Sequence, residues 1–105
     1  MNPEAIYQNL SDEDKHLLDR LLTDPPPREI SWSKTLDFLQ NRLPKAIEDE
    51  KIIVRDGGAR LTIMFRNSSK RRLSLGHRAD GQFISKYNIE LIQDFLIFFG
   101  FKLKR

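Results

Sequence analysis

Apolar residues recur along this chain in two rhythms, one helical and one of period two. The first helical stretch follows Ser11-Asp12-Glu13-Asp14, where Leu17, Leu18, Leu21 and Leu22 repeat at helix spacing. Ser11 with an acid three residues later has the form of a capping box. Three acids in the first turn suit the positive end of the helix dipole, and Pro3 suits a first helical position upstream. Asp24-Pro25-Pro26-Pro27 ends this region, because a residue before proline avoids αR and successive prolines stay extended. A second helix is predicted from a cap at Ser31 or Ser33 to about Arg42. Trp32, Leu36, Leu39 and Leu43 form its stripe, Phe38 flanks it, and Pro44 stops it.

The rhythm then changes. Lys51 to Arg55, with Ile52, Ile53 and Val54 inside, reads as a strand. Asp56-Gly57-Gly58 reads as a turn, since these residues take positive φ at little cost. Leu61, Ile63 and Phe65 alternate with Arg60, Thr62, Met64 and Arg66, the period of a half-buried strand. Asn67-Ser68-Ser69 is the next turn. Arg71, Leu73 and Leu75 alternate with Arg72, Ser74 and Gly76 as a third strand. A loop from His77 to Lys86 leads to a last helix, expected to start at Asn88 and end at Gly100. Ile89, Leu91, Ile92, Phe95, Leu96, Ile97, Phe98 and Phe99 cover more than one face of it. Such a helix is buried on several sides, by the N-terminal segment or by a partner.

The predicted class is α+β, a two-layer sandwich of helix, three antiparallel strands and helix with an added N-terminal helical extension. The expected boundaries are an extension over 1–24, a proline linker over 25–30 and a domain over 31–105. A length of 105 residues suits one core. No apolar run approaches the roughly 20 residues that span a bilayer. The first ten residues lack the basic and apolar stretches of a signal peptide, so a cytoplasmic location is expected. The absence of cysteine excludes disulfides and thiolate chemistry. No phosphate-cradling glycine loop is present, the serines lack a partner arrangement, and His16 and His77 are too far apart in sequence to suggest a metal site. No cofactor or metal is expected.

Charge sharpens the picture. Residues 1–50 carry a net charge of −5, residues 51–86 carry +7, and residues 87–105 carry +1. Such asymmetry points to a segment that faces a polyanion. The basic candidates are Arg60, Arg66, Lys70, Arg71, Arg72, Arg78 and Lys86. Side chains of this kind bind phosphates without reading sequence. The plainer alternative is a solvated basic face, or one covered by the acidic N-terminal half. His77, at the end of the third strand, is the candidate general acid or base, since imidazole titrates near neutrality. Its plainer alternative is a surface histidine bonded to a loop carbonyl.

Five pieces of this sequence, in order, carry a likeness: Ser31-Trp-Ser-Lys-Thr-Leu-Asp-Phe-Leu39, Gly57-Gly-Ala-Arg-Leu-Thr-Ile63, Leu73-Ser-Leu-Gly-His77, Phe83-Ile-Ser-Lys-Tyr-Asn-Ile-Glu-Leu-Ile-Gln-Asp-Phe-Leu96 and Phe98-Phe-Gly-Phe101. Together they resemble a HicA-like toxin domain, over roughly two thirds of the chain. The resemblance implies a fold similar to the double-stranded RNA-binding domain, mRNA interferase activity, and a HicB-like antitoxin as protein partner. That family's catalytic histidine follows a Gly-Ser pair at the start of the second strand. Gly58-Ala59-Arg60 stands there instead, and an arginine is no base near neutral pH. His77 matches a second family histidine. The resemblance therefore implies an RNA-binding protein of toxin–antitoxin type with weak or no mRNA cleavage. The alternatives are an active endoribonuclease using His77, or a protein-interaction module that docks a partner through its apolar last helix. Monomer and homodimer both remain open.

Overall fold

The computed structural model describes residues 2–47, 51–56, 60–65, 72–76 and 82–104. Side-chain oxygens start each helix that has a free N-terminus. Asn2 accepts the Glu4 and Ala5 amides at the head of α1 (Pro3–Gln8), where Pro3 needs no N–H. Ser11 accepts the Asp14 amide at 3.2 Å and opens α2 (Asp12–Leu21), as the capping pattern predicts. Leu18 and Leu21 are buried, and Leu22 follows them into the core.

Ser31 caps α3 (Trp32–Asp37). Pro44, expected to stop this helix, does not. A π turn (Phe38–Arg42) intervenes, and α4 (Leu43–Ile47) carries the coil past a buried Pro44. The Leu43 amide reaches five residues back to the Phe38 carbonyl. A widened turn of this kind tolerates a ring that lacks an N–H and would clash with the carbonyl four residues back. Phe38 is fully buried rather than flanking, while Leu36 is only partly buried. The coil is covered on more than one side, because α1 packs on α4 and Asn9 Nδ2 donates to the Ala46 carbonyl at 3.2 Å.

Strands β1 (Lys51–Asp56), β2 (Arg60–Phe65) and β3 (Arg72–Gly76) form an antiparallel sheet in the order β1-β2-β3. Between Ile53↔Ile63 and Arg55↔Thr62 the register shifts, so β1 carries one extra residue at Val54. β2 and β3 pair without interruption from Arg60↔Gly76 to Met64↔Arg72. Ile63, Leu73 and Leu75 are buried, whereas Arg72 is exposed and Ser74 half-buried. That alternation is the period-two pattern of a sheet with one face on the core.

The last helix, α5 (Lys86–Phe98), begins a turn earlier than expected. Its cap is Ser85, whose Oγ accepts the Asn88 amide at 3.2 Å. Asn88 is thereby free to turn its side chain inward. At the other end the Gly100 amide bonds to the Ile97 carbonyl and the Phe101 amide to the Leu96 carbonyl. Gly100, at φ 99°, supplies the left-handed residue this closing motif requires.

The architecture is α+β around one hydrophobic core. Ile6, Leu10, Leu18, Leu21 and Leu22, from before the prolines, join the same cluster as Phe38, Leu75, Ile92 and Phe95. Polar contacts bind the same halves. Gln93 Nε2 donates to the Leu21 and Thr23 carbonyls at 2.9 and 3.2 Å. Thr23 and Lys104 form a parallel bridge, and the Ile84 amide bonds to the Ile30 carbonyl. Arg42 donates to Asp14 at 2.6 Å and also to Asp37. These two hydrogen bonds, the one to Asp37 foremost, raise the guanidinium pKa, and the Arg42 bond followed by the Asn41 bond lowers that of Asp37.

Asp14 and Asp37 share one arginine but not one environment: their side chains are 5% and 53% exposed. Asp14→Ala is expected to lower stability in urea unfolding by about 1–3 kcal/mol, because it removes the buried carboxylate of a charge-assisted hydrogen bond to Arg42. Asp37→Ala is expected to cost clearly less, as solvent screens an exposed pair. Equal losses would refute the ranking.

Candidate nucleic-acid interface

The sequence-predicted site residues fall into two groups. Arg66, Lys70, Arg71, His77 and Arg78 lie outside the described residues, as do the turns at Gly57-Gly58 and Asn67–Ser69 and the acidic run Glu48–Glu50. Arg60, Arg72 and Lys86 lie within them.

Arg60 opens β2, and its register partner is Gly76, the last residue of β3. In sequence Gly76 directly precedes His77. One step into the sheet, the buried Thr62 and the half-buried Ser74 share a hydrogen bond between strands, Oγ1 to Oγ, at 3.2 Å. Arg72 starts β3 opposite Met64 and is exposed. A five-residue strand places Arg72 roughly 13 Å from Gly76. Arg72 and Arg60 are therefore at opposite ends of the β2–β3 ladder, with the Thr62–Ser74 pair between them.

Lys86 is the first residue of α5 and is exposed. Two residues on, Asn88 Nδ2 donates to the Gly76 carbonyl at 2.5 Å. That bond ties the first turn of α5 to the end of β3 and brings Lys86 to the same end of the sheet as the Arg60 backbone. Asn88 was expected only as a helix cap. The signal that could have shown its role is Ser85 three residues earlier, a competing cap that releases Asn88.

The acidic N-terminal half lies mainly against the helices. Its principal contacts run from α1 to α4 and from α2 to α5. Asp14 bonds to Arg42, and Asp19 accepts from Lys104 Nζ at 2.6 Å and from the Tyr7 hydroxyl at 3.0 Å. The hydrogen bond to Asp19, followed by burial, raises the Tyr7 phenol pKa. These ion-pair partners come from helices and the C-terminal segment, not from the sheet. Among the described residues no group of three or more histidine, cysteine or acidic side chains could hold a metal ion. Among the described residues no helix is long and apolar enough to cross a membrane.

On β2 and β3 the described exposed cation is Arg72, a group able to bind a phosphate without reading sequence. Within the described residues the arrangement offers no nucleophile paired with a base.

Asn88→Ala is expected to lower the thermal midpoint, with a loss of about 1–2 kcal/mol from the missing bond. Nuclear magnetic resonance should show the largest shift changes at Gly76 and its neighbours. A variant with an unchanged Gly76 carbonyl-carbon shift would contradict the role given to Asn88. No protein-family model, no curated protein and no solved structure matches this chain.

Proposed function

We propose that this chain is a HicA-like RNA-binding protein of toxin–antitoxin type, with weak or no mRNA cleavage. The observation that carries the reading is the place of Arg60. It opens the middle strand of a helix, three-strand, helix arrangement, paired with Gly76 next to His77. The HicA-like resemblance puts a catalytic histidine at that place. Arginine stays protonated, so it binds phosphate and takes no proton. The element order after the prolines agrees with a fold like the double-stranded RNA-binding domain. Such domains meet A-form RNA through backbone, shape and 2′-hydroxyls. Arg72 and Lys86, both exposed, are described groups suited to those contacts.

A second reading draws on α5, where Tyr87, Ile97 and Phe98 are 69%, 45% and 51% exposed. Apolar exposure of this extent suits a protein partner, with a HicB-like antitoxin as the occupant the resemblance implies.

Binding of a short hairpin RNA, measured at 50 and 200 mM salt, separates the readings. The RNA reading expects affinity to fall steeply with salt, and Arg72→Ala to lower the slope of log affinity against log salt by about 1. It expects little or no cleavage of the same RNA by the purified protein. RNA affinity absent at low salt would remove the first reading and leave the second, which light scattering with and without a candidate antitoxin then tests.

A further inference from the structure

A crevice of about 420 Å³ runs between the proline run and the start of α5. Pro25, Pro26 and Pro27 form one wall, the buried Ile84 and Ile89 form the floor, and Arg28 and Lys86 stand at the rim. Among the described residues no acidic side chain lines it. Both cations are exposed. Elsewhere in the protein Arg42 and Lys104 are tied to carboxylates and Arg20 to a carbonyl, whereas Arg28 and Lys86 form no ion pair or hydrogen bond with the described residues. Two cations lining one crevice, with no acid among its described lining residues, repel each other and gain from a shared anion. The apolar wall and floor ask for something more than an anion: a flat or aliphatic body attached to it. The volume is within the range of small-ligand sites.

We propose that this crevice is a subsite for one unpaired nucleotide. Its phosphate would bridge Arg28 and Lys86, and its base would lie against the Pro25–Pro27 wall over Ile84 and Ile89. Arginine presents a planar fork that matches a phosphate edge, and lysine adds a point charge from a second element. Unpaired bases splayed from an RNA strand are the parts of RNA that proteins bury against apolar and planar groups. The subsite rests on the RNA reading above and extends it: the basic sheet holds backbone, while this crevice takes a base that has left the helix. Asn88, which ties β3 to α5, fixes the relation between the two surfaces.

The probe is adenosine 5′-monophosphate, titrated into the full chain with the isoleucine methyls followed by nuclear magnetic resonance. Shifts at Ile84 and Ile89 are expected. Arg28→Gln combined with Lys86→Gln should weaken binding about tenfold or more, equivalent to about 1.4 kcal/mol. Both side chains are exposed, and an unchanged thermal midpoint verifies that the variant folds. Ribose 5-phosphate should bind more weakly than the nucleotide. Equal binding of the two would overturn the base pocket, and so would unmoved Ile84 and Ile89 methyls at millimolar nucleotide. Unmoved methyls alongside salt-sensitive hairpin binding would sink the subsite and leave RNA binding in place. Nucleotide binding here without any hairpin affinity would do the reverse.

Discussion

The whole structure hangs on helix α5 being wanted from two sides. Its Ile89, Ile92, Phe95 and Leu96 are nearly inaccessible to solvent, each contributing about 1.5–3 kcal/mol from burial. Two amide side chains set five residues apart then fix what lies on either side. Asn88 holds the end of β3 through the Gly76 carbonyl, and Gln93 holds the end of α2 through the Leu21 and Thr23 carbonyls. Helix C-terminal carbonyls have no partner within the helix, so Gln93 supplies α2 with what its own backbone cannot. Burial makes these bonds obligatory, because an unsatisfied polar group in such a place costs more than the bond contributes.

That constraint explains how charge is distributed. The acidic N-terminal helices pack on the helical layer, where Arg42 and Lys104 take their carboxylates. Arg72 stays exposed on the outer side of β3, and Lys86 on the first turn of α5. The phosphate surface and the nucleotide crevice proposed above draw on these two exposed cations, Arg72 and Lys86, together with Arg28.

Much of this was legible from residue order. The capping box at Ser11, the period-two run of Leu73 and Leu75, and Gly100 as the left-handed end of α5 are local effects that act within a few residues. Pro44 and Asn88 depart from their sequence expectation for a shared reason. Each has a strong local preference, to break a helix or to cap one, and each is overruled by neighbours. Around Pro44 a π turn and burial from two sides keep the coil going. At Asn88 the serine three residues before takes the cap and sends the amide to β3. The crevice was invisible for a different reason: Arg28 and Lys86 are far apart in sequence, and only the fold puts them on one rim.

By itself, then, the sequence determined the type and order of the elements, the side of β3 that faces the core, and the presence of Arg60 where the resemblance implies a histidine. Those depend on side-chain periodicity and on residue identity, which act locally. Only the tertiary structure decided that the helices before the prolines share one core with the sheet, that the buried Asn88 and Gln93 make bonds to other elements, and that Arg28 and Lys86 line one crevice. Each of these joins residues distant in sequence. Such pairings are set by which apolar faces can bury one another, a condition that no short window of residues contains.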